Sequence, residues 1–334
     1  MIRAPSFWGR DGNLARALSP LSRVVTAITA RRVAHTGWMA PVPVICCGNA
    51  TAGGAGKTTL VQDLAARLNA RGVAVHILSR GYRGTAKGPR RVLPDDSVAL
   101  TGDEALLLAA LAPTWTGADR VASARAAVAA GAELLLMDDG LQNPALAKSM
   151  SLLVVDGATG FGNGRVLPAG PLREPAAAAA ARCRAAVLIG QDSSGASAQL
   201  PAGLPVLRAD LVQGEEIGAL AGRRVLAFAG IAMPDKFFSG LERAGVELAG
   251  RVAFPDHHRF TSRDLVRLET DARAADAVLV TTPKDAVRLP AGMNFQVVSV
   301  RLVWEAESMI EALLDEVISG RSMEPPPRWG QSMA

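Results

Sequence analysis

The stretch Thr51-Ala52-Gly53-Gly54-Ala55-Gly56-Lys57-Thr58 sets a lysine and a hydroxyl directly behind a glycine-rich turn. Before it, Val42 to Cys47 is apolar and β-branched, as a buried strand is. After it, Thr59 to Leu68 places leucine at 60, 64 and 68, a helical spacing. The order is strand, glycine loop, helix. In that order the backbone N–H groups and the helix N-terminus face the phosphates of a nucleotide. Lys57 extends to the β and γ groups, and Thr58 offers its hydroxyl to Mg²⁺. Small residues are needed because a Cβ would block the approach of the backbone. The usual pattern opens with Gly five residues before the second Gly, and here that residue is Thr51. A glycine-rich turn that happens to contain Lys-Thr is the bland alternative, and the flanking strand and helix count against it.

Working outward, the chain of 334 residues is 49% apolar, enough for a substantial core and for two domains. Its three cysteines, Cys46, Cys47 and Cys183, lack metal-ligand spacing and read as reduced, buried thiols. The net charge is +5, and residues 1–40 hold six arginines against Asp11 alone, so the rest is neutral overall. In that arm Leu14, Leu18, Leu21, Val25 and Ile28 share a helical stripe, Ser19-Pro20 suits a helix start, and Phe7, Trp8 and Trp38 add amphipathic rings. Arginines interrupt the apolar run, which excludes a membrane span and a secretory signal. Two readings stay open: a helix lying on an anionic leaflet, or one docked on the protein body with its basic face in water.

Further along, Val73 to Ser79 predicts a second strand, followed by a basic loop from Arg80 to Pro94. Helices are expected over Ala105 to Leu111 and Val121 to Ala130, and strands over Glu133 to Met137 and Ser151 to Val155. Strands alternating with helices imply a doubly wound parallel α/β sheet with ligand groups at the strands' carboxyl ends. Residues 160–175 are too rich in glycine and proline for regular structure and form a long, functional loop. The alanine-rich piece 176–186 predicts a helix, 191–205 a flexible connection, and 206–222 a hinge. Beyond it, strands at 225–229, 247–254, 277–282 and 295–300 and helices at 234–244, 261–273 and 306–318 make a smaller α/β domain. The expected division is thus a basic arm (1–40), a P-loop domain (41–210), a smaller domain closing the cleft (211–320) and a flexible tail (321–334).

Four constellations carry chemistry. Asp138 and Asp139 end an apolar strand, where a P-loop fold keeps the acid that holds Mg²⁺; they could instead cap the next helix, and the sequence leaves open which of the two acts. Asp103-Glu104 opens a helix, where acids commonly cap, yet an aspartate near a γ-phosphate can also accept a hydroxyl proton. His257-His258 lies between a strand and a helix; without further His or Cys at suitable spacing it orients a carboxylate across the cleft or is a solvated loop. Lys284-Asp285 lacks the Asn-Lys pair of a guanine-reading motif, so adenine is the default base.

Taken with Gly48-Asn49, Ser79-Arg80-Gly81-Tyr82, Gly140-Leu141-Gln142, the block Gly162 to Glu174, Phe228-Ala229-Gly230-Ile231, Phe254-Pro255-Asp256 and Thr281-Thr282-Pro283, these residues resemble the tetraacyldisaccharide 4'-kinase family in order and spacing over nearly the whole chain. The resemblance accounts for Thr51, since that family opens its loop with Ser or Thr. It implies phosphorylation by ATP and Mg²⁺ of the 4'-hydroxyl of a lipid A disaccharide 1-phosphate, by an enzyme peripheral to the cytoplasmic face of the inner membrane, its N-terminal helix meeting the bilayer. It implies Asp103 as base supported by His257, Lys57 and Thr58 on phosphates and metal, and Asp138, Asp139 and Glu174 as acids that position Lys57 or bind Mg²⁺. The chain departs from the family at Thr59, Leu141 and Asn143, none of them a proposed catalytic group. Nothing in the chain points to nucleic acid or to an obligate protein partner. The competing readings are a nucleotide-switch ATPase, disfavoured because Thr51-Ala52 lacks the extra lysine such loops often carry, and a small-metabolite kinase or ligase, which has little use for the arginine arm.

Overall fold

The computed structural model describes residues 5–320; the expected tail lies outside them. The runs of Val, Ile and Leu that anchor the reading above form strands buried on both faces, as central strands of a parallel sheet are. In chain order the strands are β1 (Val44–Gly48), β2 (Val75–Ser79), β3 (Arg90–Arg91), β4 (Thr114–Thr116), β5 (Leu134–Asp138), β6 (Met150–Asp156), β7 (Ala185–Ile189), β8 (Val206–Gln213), β9 (Arg224–Ala229), β10 (Glu247–Ala253), β11 (Val278–Thr281), β12 (Gln296–Val297) and β13 (Val300–Trp304). The helices are α1 (Asn13–Val33), α2 (Lys57–Ala70), α3 (Val98–Thr101), α4 (Asp103–Ala109), α5 (Arg120–Ala129), α6 (Ala176–Ala180), α7 (Pro234–Arg243), α8 (Ser262–Ala274), α9 (Pro283–Ala286) and α10 (Glu307–Ile318).

Nine strands make one sheet in the order β13-β8-β7-β6-β1-β5-β2-β4-β3, and four make a second in the order β10-β9-β11-β12. β1 lies between β5 and β6, parallel to both, with Cys47 opposite Asp138. The glycine loop after β1 and the acids that end β5 therefore emerge side by side. One face of the large sheet buries Leu60, Leu64 and Leu68 of α2 with Ile310, Leu314 and Val317 of α10. The other buries Ala124 and Ala127 of α5, Ala179 and Ala180 of α6, and Phe161, Val166 and Leu172 of the long loop. The small sheet has its own core, with Phe237, Phe238 and Leu241 on one face and Phe228, Leu268 and Leu279 across the other.

Several expectations are corrected. The alanine-rich piece 176–186 is not one helix: α6 stops at Ala180, and β7 begins at Ala185 between β6 and β8. Alanine runs carry no hydrophobic period, so the change of element leaves no trace there. Residues 206–213 are not a hinge but strand β8; the link between the sheets is the following stretch with its turn Glu215–Leu220. The strand expected at 295–300 is two strands, and β13 crosses back to pair antiparallel with β8 in the large sheet. With Trp304 and α10 buried against α2, the last described elements belong to the large unit and not to a domain spanning 211–320. The 191–205 connection is pinned, because Asp192 accepts the amides of Ala196 and Ser197, and Ala196 is fully buried.

The arm is corrected as well. Ser19-Pro20 starts no helix; α1 begins at Asn13 and runs through Pro20. The expected stripe splits in two. Leu18 and Val25 turn toward the body, where Ser22 donates to the Val166 carbonyl at 2.6 Å, while Leu14, Leu21, Val24 and Ile28 are each more than half exposed. Trp8 and Trp38 face the body as well, Trp8 donating to the Pro168 carbonyl at 3.2 Å and Trp38 lying 4.9 Å beneath the Arg125 guanidinium.

Candidate active site

The cradle begins where β1 runs out. Gly56 caps α2 at φ +85°, a left-handed conformation in which a side chain is strained, and a Cβ there would lie 2.7 Å from Ile189. Asn49, fully buried behind the loop, donates to the Thr51 hydroxyl at 3.0 Å and to the Gly53 carbonyl at 3.3 Å. The hydroxyl of Thr51 thus braces the loop where the common pattern has Gly. From outside, Ala52 donates to the Pro171 carbonyl and Arg173 to the Ala50 carbonyl, each at 2.7 Å, so the long loop buttresses the cradle. Gly54 and Ala55 complete the turn, and Thr58 follows Lys57 in the first turn of α2.

Lys57 is held in reserve by two partners, the Asn49 amide oxygen at 2.9 Å and Asp139 at 3.6 Å. Asp139 adopts φ +53°, turns out of the strand and accepts Arg173 at 2.8 Å. Burial pushes the Asp139 carboxyl up, but Lys57 and Arg173 outweigh it and hold it below its ordinary value. Asp138 has the opposite environment. It is buried, its Oδ1 has no hydrogen-bond partner among the described residues, and burial, with the charges of Glu104 and Asp139, pushes its carboxyl up to about 7 against the pull of Lys57 and Arg120. Glu174 is not aimed at the cradle: Arg182 at 2.7 Å and the Gln142 amide at 2.9 Å occupy it, and Gln142 in turn donates to the Asn49 carbonyl at 3.0 Å.

A second group adjoins this one, near enough for the Glu104 charge to act on Asp138. Asp103 opens α4 directly after Gly102, which adopts φ +86°. From the small unit, His257 brings Nδ1 to 2.7 Å from Asp103 Oδ2. Its backbone, at φ +58°, donates to the Gly230 carbonyl at 3.0 Å. The Arg288 guanidinium, nearly buried, lies 3.6 Å from Asp103 and 2.8 Å from Asp285, and also donates to the carbonyls of His258 and Gly230. Lys284 pairs with Glu104 at 3.0 Å. Burial raises the Asp103 carboxyl, yet the His257 hydrogen bond and the charges of Lys284 and Arg288 bring it below its ordinary value. The Tyr82 ring stacks obliquely 5.7 Å from His257. The neighbouring His258 does something else: it bonds Asp264 at 3.1 Å and stacks on Phe254 at 4.7 Å, holding its own loop.

The structure therefore brings Lys57 to Asp139 and Asp103 to His257, and it leaves Asp138 Oδ1 without a hydrogen-bond partner among the described residues. Of the supporting residues, Asn49, Gln142 and Arg173 lie inside the quoted motifs but carry no assigned role there, and Arg288 escapes the sequence reading altogether. Asn49 and Gln142 could be sought as polar residues just beyond strand ends; Arg288 carries no signal, since only the fold turns it inward. A cavity of about 400 Å³ past the end of β7, lined by Gln191, Asp192, Arg208 and Asp210, is walled by none of these side chains.

The fit to a magnesium ion rests on Asp138. A buried, unpartnered carboxylate oxygen beside a cradle lysine, with the Thr58 hydroxyl on the adjoining helix turn, supplies hard oxygen donors. Mg²⁺ asks only one or two carboxylates, filling its octahedron with phosphate oxygens and water. Among the described residues no three His, Cys, Asp or Glu side chains converge as a self-sufficient metal cage. Asp139 and Glu174 are already engaged, Asp139 by Arg173 and Lys57 and Glu174 by Arg182.

A glycine cradle after β1, a lysine and hydroxyl opening α2 and an acid ending the adjacent parallel strand define a P-loop enzyme of the phosphotransferase kind. Comparison with known proteins narrows this. The sequence profile of the family described as tetraacyldisaccharide-1-P 4'-kinase matches residues 14–319. A tetraacyldisaccharide 4'-kinase of Gluconacetobacter diazotrophicus is 59% identical, with 94% of this chain and 98% of that protein aligned. One of Rhodospirillum centenum is 51% identical over 96% and 98%. Among solved structures, LpxK from Aquifex aeolicus, an "apo" form crystallised in complex with ATP, superposes with a TM-score of 0.74 at 27% identity, covering 91% of this chain and 99% of that one. The chain belongs to the tetraacyldisaccharide-1-P 4'-kinase family, and it is a kinase.

Proposed function

We propose that this kinase transfers the γ-phosphoryl group of ATP to the 4'-hydroxyl of a tetraacylated glucosamine disaccharide 1-phosphate, the lipid A precursor. The observation that carries the reading is the Asp103–His257 pair, formed between the two units across from the Lys57 cradle. Lys57 leaves Asn49 and Asp139 to engage the β and γ phosphates, and the loop amides hold the remaining oxygens. Asp103, kept ionised by its cationic neighbours, accepts the proton of the 4'-hydroxyl as that oxygen forms its bond to the γ-phosphorus. The bond from the γ-phosphorus to the bridging oxygen breaks, and ADP carries the electron pair away. Thr58 and Asp138 would hold Mg²⁺, which would supply charge neutralisation to the phosphates.

The small unit acts as a lid. Lys236 of α7 pairs with Asp156 at the end of β6, and Lys284 of α9 pairs with Glu104, so closure brings His257 to the base and excludes water from the phosphates. The arm (1–40) meets the membrane. The exposed row Leu14, Leu21, Val24 and Ile28 sits among arginines on the side of α1 away from the body. A substrate with four acyl chains resists leaving a bilayer at about 0.8 kcal/mol per CH₂, so the enzyme goes to it at the cytoplasmic face of the inner membrane.

The test is transfer of ³²P from γ-labelled ATP to the disaccharide 1-phosphate in mixed micelles, wild type beside Lys57→Ala. Labelled lipid from wild type alone supports the reaction. Lys57-dependent ATP hydrolysis with no labelled lipid would discard the acceptor in favour of a nucleotide switch.

A further inference from the structure

Lys284 occupies the first turn of the short helix α9, capped by the Thr282 hydroxyl. Its side chain is 21% exposed and its ammonium stands 3.0 Å from Glu104, 3.8 Å from Asp256 and 3.5 Å from His257 Nε2. An ammonium has donors and no acceptor, so a ring nitrogen facing it can offer only its lone pair. The ring proton then belongs on Nδ1, the nitrogen 2.7 Å from Asp103 Oδ2. We infer that Lys284 is a positioning residue that fixes His257 as the neutral Nδ1–H tautomer, so that Asp103 receives a hydrogen bond in place of an imidazolium charge.

The difference matters to a base. A carboxylate bonded to a neutral imidazole keeps more of its affinity for a proton than one paired with a cation. The groups around the ring pull in both directions. Asp103 from α4 and Asp256, whose Oδ2 is 3.6 Å from Nε2, favour a charged ring. Lys284 opposes it from α9, and Arg288, 3.6 Å from Asp103 and shared with Asp285, already supplies that carboxylate with a positive neighbour. Tyr82 covers the ring from the large unit, and Glu104, also from the large unit, aims Lys284. Because Glu104 and Asp103 share α4, the arrangement forms only when the two units meet. The state of the ring and the closed state of the enzyme are thereby coupled. The catalytic consequence rests on Asp103 being the base; the tautomer itself does not.

Ring nitrogen NMR on the full-length chain labelled with ¹⁵N-histidine tests this without turnover. The chain has four histidines, so at most four ring patterns appear, and the one missing from His257→Gln is assigned. The expected wild-type pattern at neutral pH is a protonated Nδ1 with an unprotonated Nε2. Lys284→Met should convert it to the doubly protonated ring, reverting as pH rises, and Lys284→Arg, which likewise only donates, should keep the wild-type pattern. In kinetics, Lys284→Met should move the acidic limb of the kcat profile upward by about one pH unit, a loss of about tenfold near that limb. The ATP KM should stay within about twofold if uniform binding is untouched, and Lys284→Arg should restore most of the rate. A wild-type ring that is doubly protonated or carries its proton on Nε2 overturns the inference. So does a folded Lys284→Met protein whose ring pattern is unchanged, even with activity lost. Should that variant not fold, the wild-type and Lys284→Arg patterns decide. The expected tautomer in a protein that transfers no phosphate would sink the kinase chemistry assigned to Asp103 and leave the role of Lys284 standing.

Discussion

Two adjacent aspartates, Asp138 and Asp139, divide between strand and turn, and their chemistry divides with them. Asp139 leaves the strand at φ +53° into the company of Arg173 and Lys57; Asp138 remains in β5 with a buried, unpaired oxygen. The Asp138 carboxyl, pushed up to about 7 first by burial, keeps a proton in the folded chain that the unfolded chain has released above its ordinary 3.8. Between those values the folded state binds more protons, so this group makes stability fall as pH rises, and the penalty is complete above about 7. In the presence of a chelator, Asp138→Asn should therefore melt higher than wild type at pH 8 and level with it near pH 4, while phosphoryl transfer is lost. Equal melting at both pH values would show that the carboxylate carries no burial penalty. Asp103→Asn has a different signature: kcat falls by about 10²- to 10⁴-fold with ATP affinity kept, as removal of a base does. Single-turnover transfer with nucleotide binding measured separately checks it, and near-normal turnover would remove Asp103 from that role. Lys57, Asp103 and His257 were legible because each stands in a distinctive local string. Arg288 was not, and Arg173 stood in the quoted Gly162 to Glu174 block without a role, because an arginine on a loop looks solvated until the fold shows what it faces.

At the scale of elements, what positions Asp103 is the turn before α4 rather than the helix itself. Gly102 adopts φ +86°, and a Cβ there would lie 2.5 Å from the Tyr82 carbonyl. Gly102→Ala should thus cost about 1–3 kcal/mol from left-handed strain and the clash. It should also lower kcat disproportionately, by displacing Asp103 and Tyr82 together. Urea unfolding beside steady-state kinetics tests this; a stability loss with kcat intact would detach the turn from the dyad. Elements with a strong period or a glycine signal were readable from sequence: β1, the cradle, α2 and β5 are where the string puts them, within a residue or two. β7 and β13 were not. The alanines of β7 have no period to distinguish strand from helix, and β13 follows β12 so closely that one strand explains both stretches until the pairing partner is known. Which sheet a strand joins is a long-range fact, fixed here by Trp304 donating to Asp63 of α2 at 3.0 Å and by α10 covering the same face.

At the scale of the whole molecule, α1 has one side docked on the body and an apolar row turned outward, so the two readings of the arm do not exclude each other. One side is bound to the long loop through Ser22 and through Ser19, which accepts Arg165; the other presents Leu21 at 55%, Val24 at 56% and Ile28 at 61% exposure. No described helix is long and apolar enough to cross a membrane. Such a helix can still lie in the interface, its apolar row in the acyl boundary and Arg23, Arg31 and Arg32 among anionic headgroups. Docked to the loop that buttresses the cradle, it would carry the cradle to the bilayer surface with its orientation fixed, which a flexible tether could not do. Changing Leu21, Val24 and Ile28 together to serine leaves every docking contact of α1 in place and removes only outward apolar surface. At about 1 kcal/mol or more per inserted side chain, partition onto anionic vesicles should fall by about a hundredfold. Transfer to substrate dispersed in detergent should change little, because the cradle and the dyad are untouched. Added salt should weaken the remaining binding, since what is left is arginine attraction screened over about 10 Å. Unchanged partition of the triple variant would mean that the exposed row does not enter the bilayer. The arm would then be a strut for the phosphate loop, and the enzyme would find its lipid by some other surface.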